Sequence, residues 1–219
     1  MSPVPELWLF GSAARGDTDP LSDIDLLVTG QLNAAVVEGL SFPKGQVSLV
    51  RYEWDELRHM ASYGSLFLHH LREEGRPLGQ TSKSELAMLL ETLPPYQRAD
   101  RELASFGVVL GDVEHALQGD HAPAFELSVI STALRHACIL GCYAIGKPTF
   151  GRHTAFEVFL KHAGYEDLLR DAQRLYDFRL YEDQRAPAPY PASTRDVQLW
   201  LVRARYILRA VEGAIRDGG

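Results

Sequence analysis

The chain contains very little cysteine and no long apolar run. Its two cysteines, Cys138 and Cys142, stand about one helical turn apart. That excludes a disulfide framework and reads as two reduced, small, buried hydrophobes in a cytoplasmic protein. No apolar stretch approaches the roughly 20 residues that a membrane span requires, and the first residues lack the basic and apolar pattern of a secretory signal. The sequence therefore predicts no membrane association. Basic residues are fewer than acidic ones, 22 against 29, for a net charge of -7. That balance argues against broad, non-specific adhesion to nucleic acid, although a sum leaves room for a local basic groove. No internal repeat is present, and no histidine or cysteine spacing fits a zinc site.

What is present is an ordinary globular composition over 219 residues, with 46% hydrophobic and 23% charged. One or two domains with a proper core are expected. The informative stretch runs from Leu9 to Val28. A short apolar run, Leu7 to Phe10, stops at Gly11-Ser12. A loop rich in Gly, Asp and Pro follows, and a second apolar run, Ile24 to Val28, carries Asp23 and Asp25 at its head. Alternation along a strand turns both aspartates to one side. Two carboxylates held that close repel unless a cation lies between them, and a hard divalent ion with oxygen ligands, Mg2+ or Mn2+, suits them. The front of the stretch offers the complement. Gly11-Ser12 turns the chain into a short helix whose free amides attract anions, the Ser12 hydroxyl can bond a phosphate oxygen, and Arg15 can pair with one.

Gly11-Ser12-x-x-Arg15-Gly16, a short loop, then Ser22-Asp23-x-Asp25-Leu26 resembles the nucleotidyltransferase superfamily related to DNA polymerase beta, and within it the small stand-alone minimal nucleotidyltransferase domains. The resemblance implies a small mixed-sheet α/β domain. It implies Asp23 and Asp25 as catalytic, metal-holding residues, with Gly11, Ser12, Arg15, Gly16 and Ser22 around a nucleoside triphosphate. Active relatives carry a third aspartate on the third strand, commonly the base for the attacking hydroxyl. Here Val47-Ser48-Leu49-Val50 puts Ser48 in that place. Serine is a poor metal ligand and a poor base at neutral pH. Two explanations stay open: a degenerate site, or a carboxylate relocated to Glu53 or Asp55.

Along the rest of the first part, Leu32 to Leu40 reads as a short helix and Phe42 to Gly45 as a turn. Gln46 to Tyr52 reads as a third strand, Tyr63 to Glu74 as a helix ended by Gly75, and Arg76-Pro77-Leu78 as an edge strand. This places an α/β domain over 1–80. A linker over 81–95 ends at Pro94-Pro95 and includes a helical turn from Ser84 to Leu90.

Residues 96–219 read as an all-α helical bundle, with helices over Tyr96–Leu117, Pro123–Ile145, Thr154–His162, Tyr165–Glu182 and from Ser193 or Thr194 to Ile215. The bundle resembles the HEPN helical domain or its relatives in kanamycin-type nucleotidyltransferases. Nuclease members of HEPN carry an arginine, four to six residues and then a histidine on the same helix, and none of the eight histidines has an arginine five to seven positions before it, which argues against RNA cleavage. Arg135 and His136 inside a helix, and Arg179 in a late polar cluster, are candidates for an acceptor cleft. Arg152-His153 reads as solvated loop, and His69-His70 as core edge and surface. Together these features predict a metal-dependent transfer of a nucleoside monophosphate from a triphosphate to an acceptor hydroxyl. The second reading is a nucleotide-binding or antitoxin-like partner protein that keeps the fold without turnover. The acceptor is unspecified, and a protein partner or a homo-oligomer fits either reading.

Overall fold

The computed structural model describes residues 4–30, 47–79 and 84–218. The helix expected over 32–40 and the turn at 42–45 lie outside the described residues. The chain divides into two compact units, Met1–Arg98 and Ala99–Gly219: a small four-stranded mixed sheet with helices, then a region that is almost wholly helical.

In the first unit the strands are β1 (Leu7–Phe10), β2 (Ile24–Thr29), β3 (Val47–Tyr52) and β4 (Arg76–Pro77). Their order across the sheet is β3-β2-β1-β4. β1 runs antiparallel to β2 and to β4, and β2 runs parallel to β3. The helix α1 (Gly11–Arg15) follows β1 directly. Alternation sends Trp8, Phe10 and Leu27 to one face and Leu7, Leu26 and Val28 to the other, so both faces carry a core. The first of these faces packs on α2 (Trp54–Ser62), α3 (Leu66–Glu74) and α4 (Glu85–Glu91) through Leu57, Leu68, Leu71, Leu86 and Leu90.

Two expectations are corrected here. Trp54–Ser62 is a helix that the sequence reading left out, and Tyr63–Ser65 is not helical. Glu56 reaches back to the Glu53 amide (2.8 Å) to start α2. Gly64 ends the helical path with φ +65°, and an added Cβ there would meet the Pro94 carbonyl at 2.2 Å. The stretch read as a linker is also built into this unit. Glu6, 5% exposed, accepts hydrogen bonds from Trp8 Nε1 (2.9 Å), Ser84 Oγ (2.5 Å) and the Leu86 amide (3.1 Å). The carboxylate thus joins β1 to the start of α4. His69 Nε2 meets the Pro94 carbonyl at 3.1 Å, so the proline pair is structured as well.

The second unit contains α5 (Ala99–Ala116), α6 (Pro123–Ala144), α7 (Thr154–His162), a 3-10 turn (Glu166–Leu168), α8 (Leu169–Glu182) and α9 (Thr194–Gly218). These bounds follow the expected helices to within a few residues. α6 is the central helix and packs against α5, α7, α8 and α9. It is long and apolar enough to cross a membrane, but most of it is buried by the bundle, as in the core helix of a helical domain. Gly141 lets the Phe159 ring approach it, since an added Cβ would fall 2.4 Å from that ring. Cys138 and Cys142 are buried in α6 with free thiols, and burial pushes the Cys142 thiol up to about 12.

Candidate functional site

The site begins where β1 ends. Phe10 is extended, Gly11 takes φ +69°, and α1 starts at once. An added Cβ on Gly11 would lie 2.4 Å from Asp25 Oδ2. The glycine therefore serves twice, because it adopts a left-handed backbone and leaves room for a carboxylate from the neighbouring strand. Asp25 is the register partner of Phe10 on β1 and of Ser48 on β3. Asp23 lies just ahead of β2, and both aspartates are half-buried. The half-buried Ser12 is the first residue past the glycine, so the loop and the carboxylate pair meet at the Gly11–Asp25 contact.

The loop between them is internally braced. Gly16 closes α1 in a left-handed conformation, and the amides of Gly16 and Asp17 both donate to the Ser12 carbonyl (2.9 and 3.1 Å). Asp19 Oδ1 accepts from the Leu21 amide (2.9 Å) and from Ser22 Oγ (2.8 Å), while Ser22 Oγ accepts from the Asp19 amide (2.9 Å). Ser22 thus fixes the turn that delivers Asp23. Arg15 donates Nε to Asp17 (3.0 Å) and a terminal nitrogen to Glu74 (2.5 Å). Glu74 also accepts from His70 Nε2 at 2.8 Å. Burial raises the Glu74 carboxyl pKa, but the hydrogen bonds from His70 and Arg15 outweigh that effect and hold it below the usual value. Arg15 is tied to protein carboxylates, so it anchors the loop to α3. The sequence does not mark Glu74, and it reads His70 as core edge or surface, because only the fold brings α3 beneath the loop.

The register settles where Ser48 stands. It is directly beside Asp25 on the adjacent parallel strand. The nearby carboxylates have local roles: Glu53 is the exposed N-cap residue of α2, and the Asp55 side chain is 97% exposed and paired with Arg58. Among the described residues no group of three or more His, Cys, Asp or Glu side chains is arranged to hold a metal. The carboxylates at hand are Asp25, on β2 beside the Gly11 turn, and Asp23, two residues earlier and just ahead of that strand. That set fits Mg2+, which binds through one or two carboxylates and completes its shell with water and substrate phosphate oxygens.

In the helical unit, Arg135 donates to the Phe150 carbonyl (2.6 Å) and Arg179 pairs with Asp183 (3.0 Å). His136 stacks on Phe106, with ring planes 18° apart. The residue keeps an exposed surface. Even so, protein crowding around its ring and, after it, the positive charges of Arg135 and Arg179 lower its pKa. The three residues singled out from the sequence thus share one electrostatic neighbourhood. His69 is buried, His70 belongs to the Glu74 network, and His153 lies edge-on to Tyr176.

The first unit is thus a small mixed α/β sheet with the Gly11–Ser12 turn packed beside Asp25. Residues 1–60 match the nucleotidyltransferase domain family, so the first unit is similar to a nucleotidyltransferase domain over those residues. The match covers the loop, both aspartates and β3, and stops short of the helical unit. No curated protein matches the chain.

Proposed function

We propose that the chain transfers a nucleoside monophosphate from a nucleoside triphosphate to an acceptor hydroxyl, with Asp23 and Asp25 holding Mg2+ or Mn2+. The observation that supports this reading is the close packing of Gly11 against Asp25 Oδ2, a contact between the Gly11–Ser12 turn and one of the two aspartates proposed to hold the metal. The metal would supply charge neutralisation at the triphosphate. Gly11, Ser12 and Gly16 shape the turn that receives phosphate oxygens, Ser22 positions Asp23, and Arg15 holds the turn to α3. In the transfer the acceptor oxygen bonds to the α-phosphorus as the bond to pyrophosphate breaks. The protein's contribution is then mostly positioning and electrostatics. The helical unit, HEPN-like or kanamycin-nucleotidyltransferase-like in this reading, binds the acceptor through the neighbourhood of Arg135, His136 and Arg179. The protein acts in the cytoplasm, alone, as a homo-oligomer or with a protein partner.

A specific observation favours the second reading, nucleotide binding without turnover. Ser48 occupies the position beside Asp25, while Glu53 caps α2 and Asp55 pairs with Arg58. One experiment separates the two readings. Each labelled triphosphate is incubated with the wild type and with Asp23→Ala/Asp25→Ala, in Mg2+ and in Mn2+, following label transfer and pyrophosphate release. Turnover that vanishes in the double variant supports transfer. Metal-dependent binding without turnover supports the second reading, and no binding defeats both.

A further inference from the structure

We infer that the helical unit contains a second binding site, which takes a free α-amino acid with a large apolar side chain. The site is a cavity of about 380 Å³ formed by α8, the loop that precedes α9, and α9 itself, a volume that suits a small-molecule ligand. Two arginines and two aspartates line it, together with Tyr190, Leu199 and Trp200. The formal charges balance, so the cavity favours neither a simple anion nor a simple cation. A ligand that carries one charge of each sign on an apolar body complements all of its walls.

The walls are held by contacts of their own. Tyr190 stands in the stretch Ala186-Pro187-Ala188-Pro189-Tyr190-Pro191, whose prolines restrict the backbone. Its ring meets the buried Phe178 edge-on at 4.9 Å. Its hydroxyl accepts a hydrogen bond from Trp200, which leaves the O–H to donate. Arg203 pairs through one terminal nitrogen with Asp171 Oδ2 (3.0 Å) and lies 5.0 Å over the Trp200 ring. Ser193 gives its amide (3.0 Å) and its hydroxyl (2.5 Å) to Asp196 Oδ2. These contacts use one oxygen of each aspartate and leave the other for a donor.

Arg174 is the cation that the fold does not neutralise. Its guanidinium lies 5.2 Å over the Tyr190 ring, one terminal nitrogen reaches the Pro189 carbonyl at a long 3.4 Å, and among the described residues it forms no ion pair. A guanidinium with most of its five donors unspent, in a cavity that also holds a phenol O–H, suits a carboxylate. The ammonium of the same ligand goes to Asp171 and Asp196, and its side chain to Leu199 and Trp200. The site does not depend on the nucleotide-binding reading, because every residue in it belongs to the helical unit.

The test uses the full chain and three probes of similar shape: L-phenylalanine, 3-phenylpropanoate, which lacks the ammonium, and 2-phenylethylamine, which lacks the carboxylate. Each is titrated at fixed ionic strength by calorimetry or ligand-observed NMR. Phenylalanine should saturate one site and bind about tenfold or more tightly than either of the others. Arg174→Gln, at an exposed position of α8, should reduce phenylalanine to the level of 2-phenylethylamine without weakening the amine. Asp171→Asn should weaken phenylalanine and the amine several-fold without weakening 3-phenylpropanoate. No saturable binding of phenylalanine, a singly charged probe that binds as tightly, or a preference for phenylalanine that survives both substitutions overturns the site. Asp23→Ala/Asp25→Ala should bind phenylalanine as the wild type does, which keeps this result separate from the fate of the nucleotide site.

Discussion

Ser48 is the lateral neighbour of Asp25 on the adjacent parallel strand, so the two side chains share one face of the sheet. Ser48→Asp therefore adds a third carboxylate beside Asp25 without altering the fold. Without metal, the added like charge should cost about 0.5–1 kcal/mol. With Mg2+ the loss should be recovered, because a ligand that binds the native state stabilises it. Thermal unfolding with and without Mg2+ should show a larger metal-dependent rise in Tm than the wild type shows. Where transfer is limited by the missing base, turnover should rise by about tenfold or more. An unchanged metal response would mean that this position does not face the metal.

Gly11→Ala tests the contact at the heart of the site. The substitution strains a backbone at φ +69° and puts a methyl group 2.4 Å from Asp25 Oδ2. It should destabilise the first unit by about 1–3 kcal/mol and reduce metal-dependent nucleotide binding at least tenfold. Gly16→Ala provides the comparison. It carries a similar positive φ with nothing within 4 Å, so it should cost stability through backbone strain and weaken binding less than Gly11→Ala does.

Glu74 links the loop to α3 and makes that link sensitive to acid. Its folded pKa lies below the ordinary 4.5, so the unfolded chain binds this proton more readily than the native one. The stability it contributes is complete above about pH 4.5 and is lost as pH falls through the lower native value. Glu74→Gln should cost about 1–3 kcal/mol at neutral pH and flatten the acid limb of the stability curve. Denaturant titrations from pH 3 to 7 would show whether the two curves converge at low pH.

A fragment of residues 1–98 should fold cooperatively, and a fragment of 1–80 should not. The shorter piece loses Leu86 and Leu90, 0% and 3% exposed, each contributing about 1.5–3 kcal/mol by burial. It also leaves the Glu6 carboxylate without Ser84 and the Leu86 amide. A loss of that size rivals the whole stability of a small domain, ~5–15 kcal/mol. Circular dichroism of the two fragments decides it.

The sheet and the long helices were legible because their signals are local. The Leu7–Phe10 and Ile24–Val28 runs, the Gly-Asp-Pro loop between them and the helical spacing after Pro95 all act over a few residues. Trp54–Ser62 was missed although Glu53 and Glu56 carry a capping pattern and Trp54, Leu57 and Ala61 fall on one face. The charged residues between them obscured that face, and Tyr63 to Glu74 looked like one continuous helix. Gly64 breaks it for a tertiary reason, the approach of the Pro94 carbonyl. Residues 81–95 read as a linker for a related reason. Proline and serine mark flexible segments in general, and only the folded chain reveals that Glu6 waits for Ser84. At the site, the residue types and their order could be read, as could the place of Ser48. That Arg15 would be tied to Glu74 and His70 could not, since that requires α3 to pass beneath the loop.

The Glu6 carboxylate also determines how force would travel through the first unit. Tension applied along the chain beyond α4 would reach residues 84–86 and meet Glu6, where one side chain grips a hydroxyl and a backbone amide. The load would then be shared by β1 through its ladders to β2 and β4 before it arrived at Phe10. Gly11 and Asp25 have less than a methyl group's tolerance between them, and this rivet lets them keep their alignment while the chain behind them is pulled.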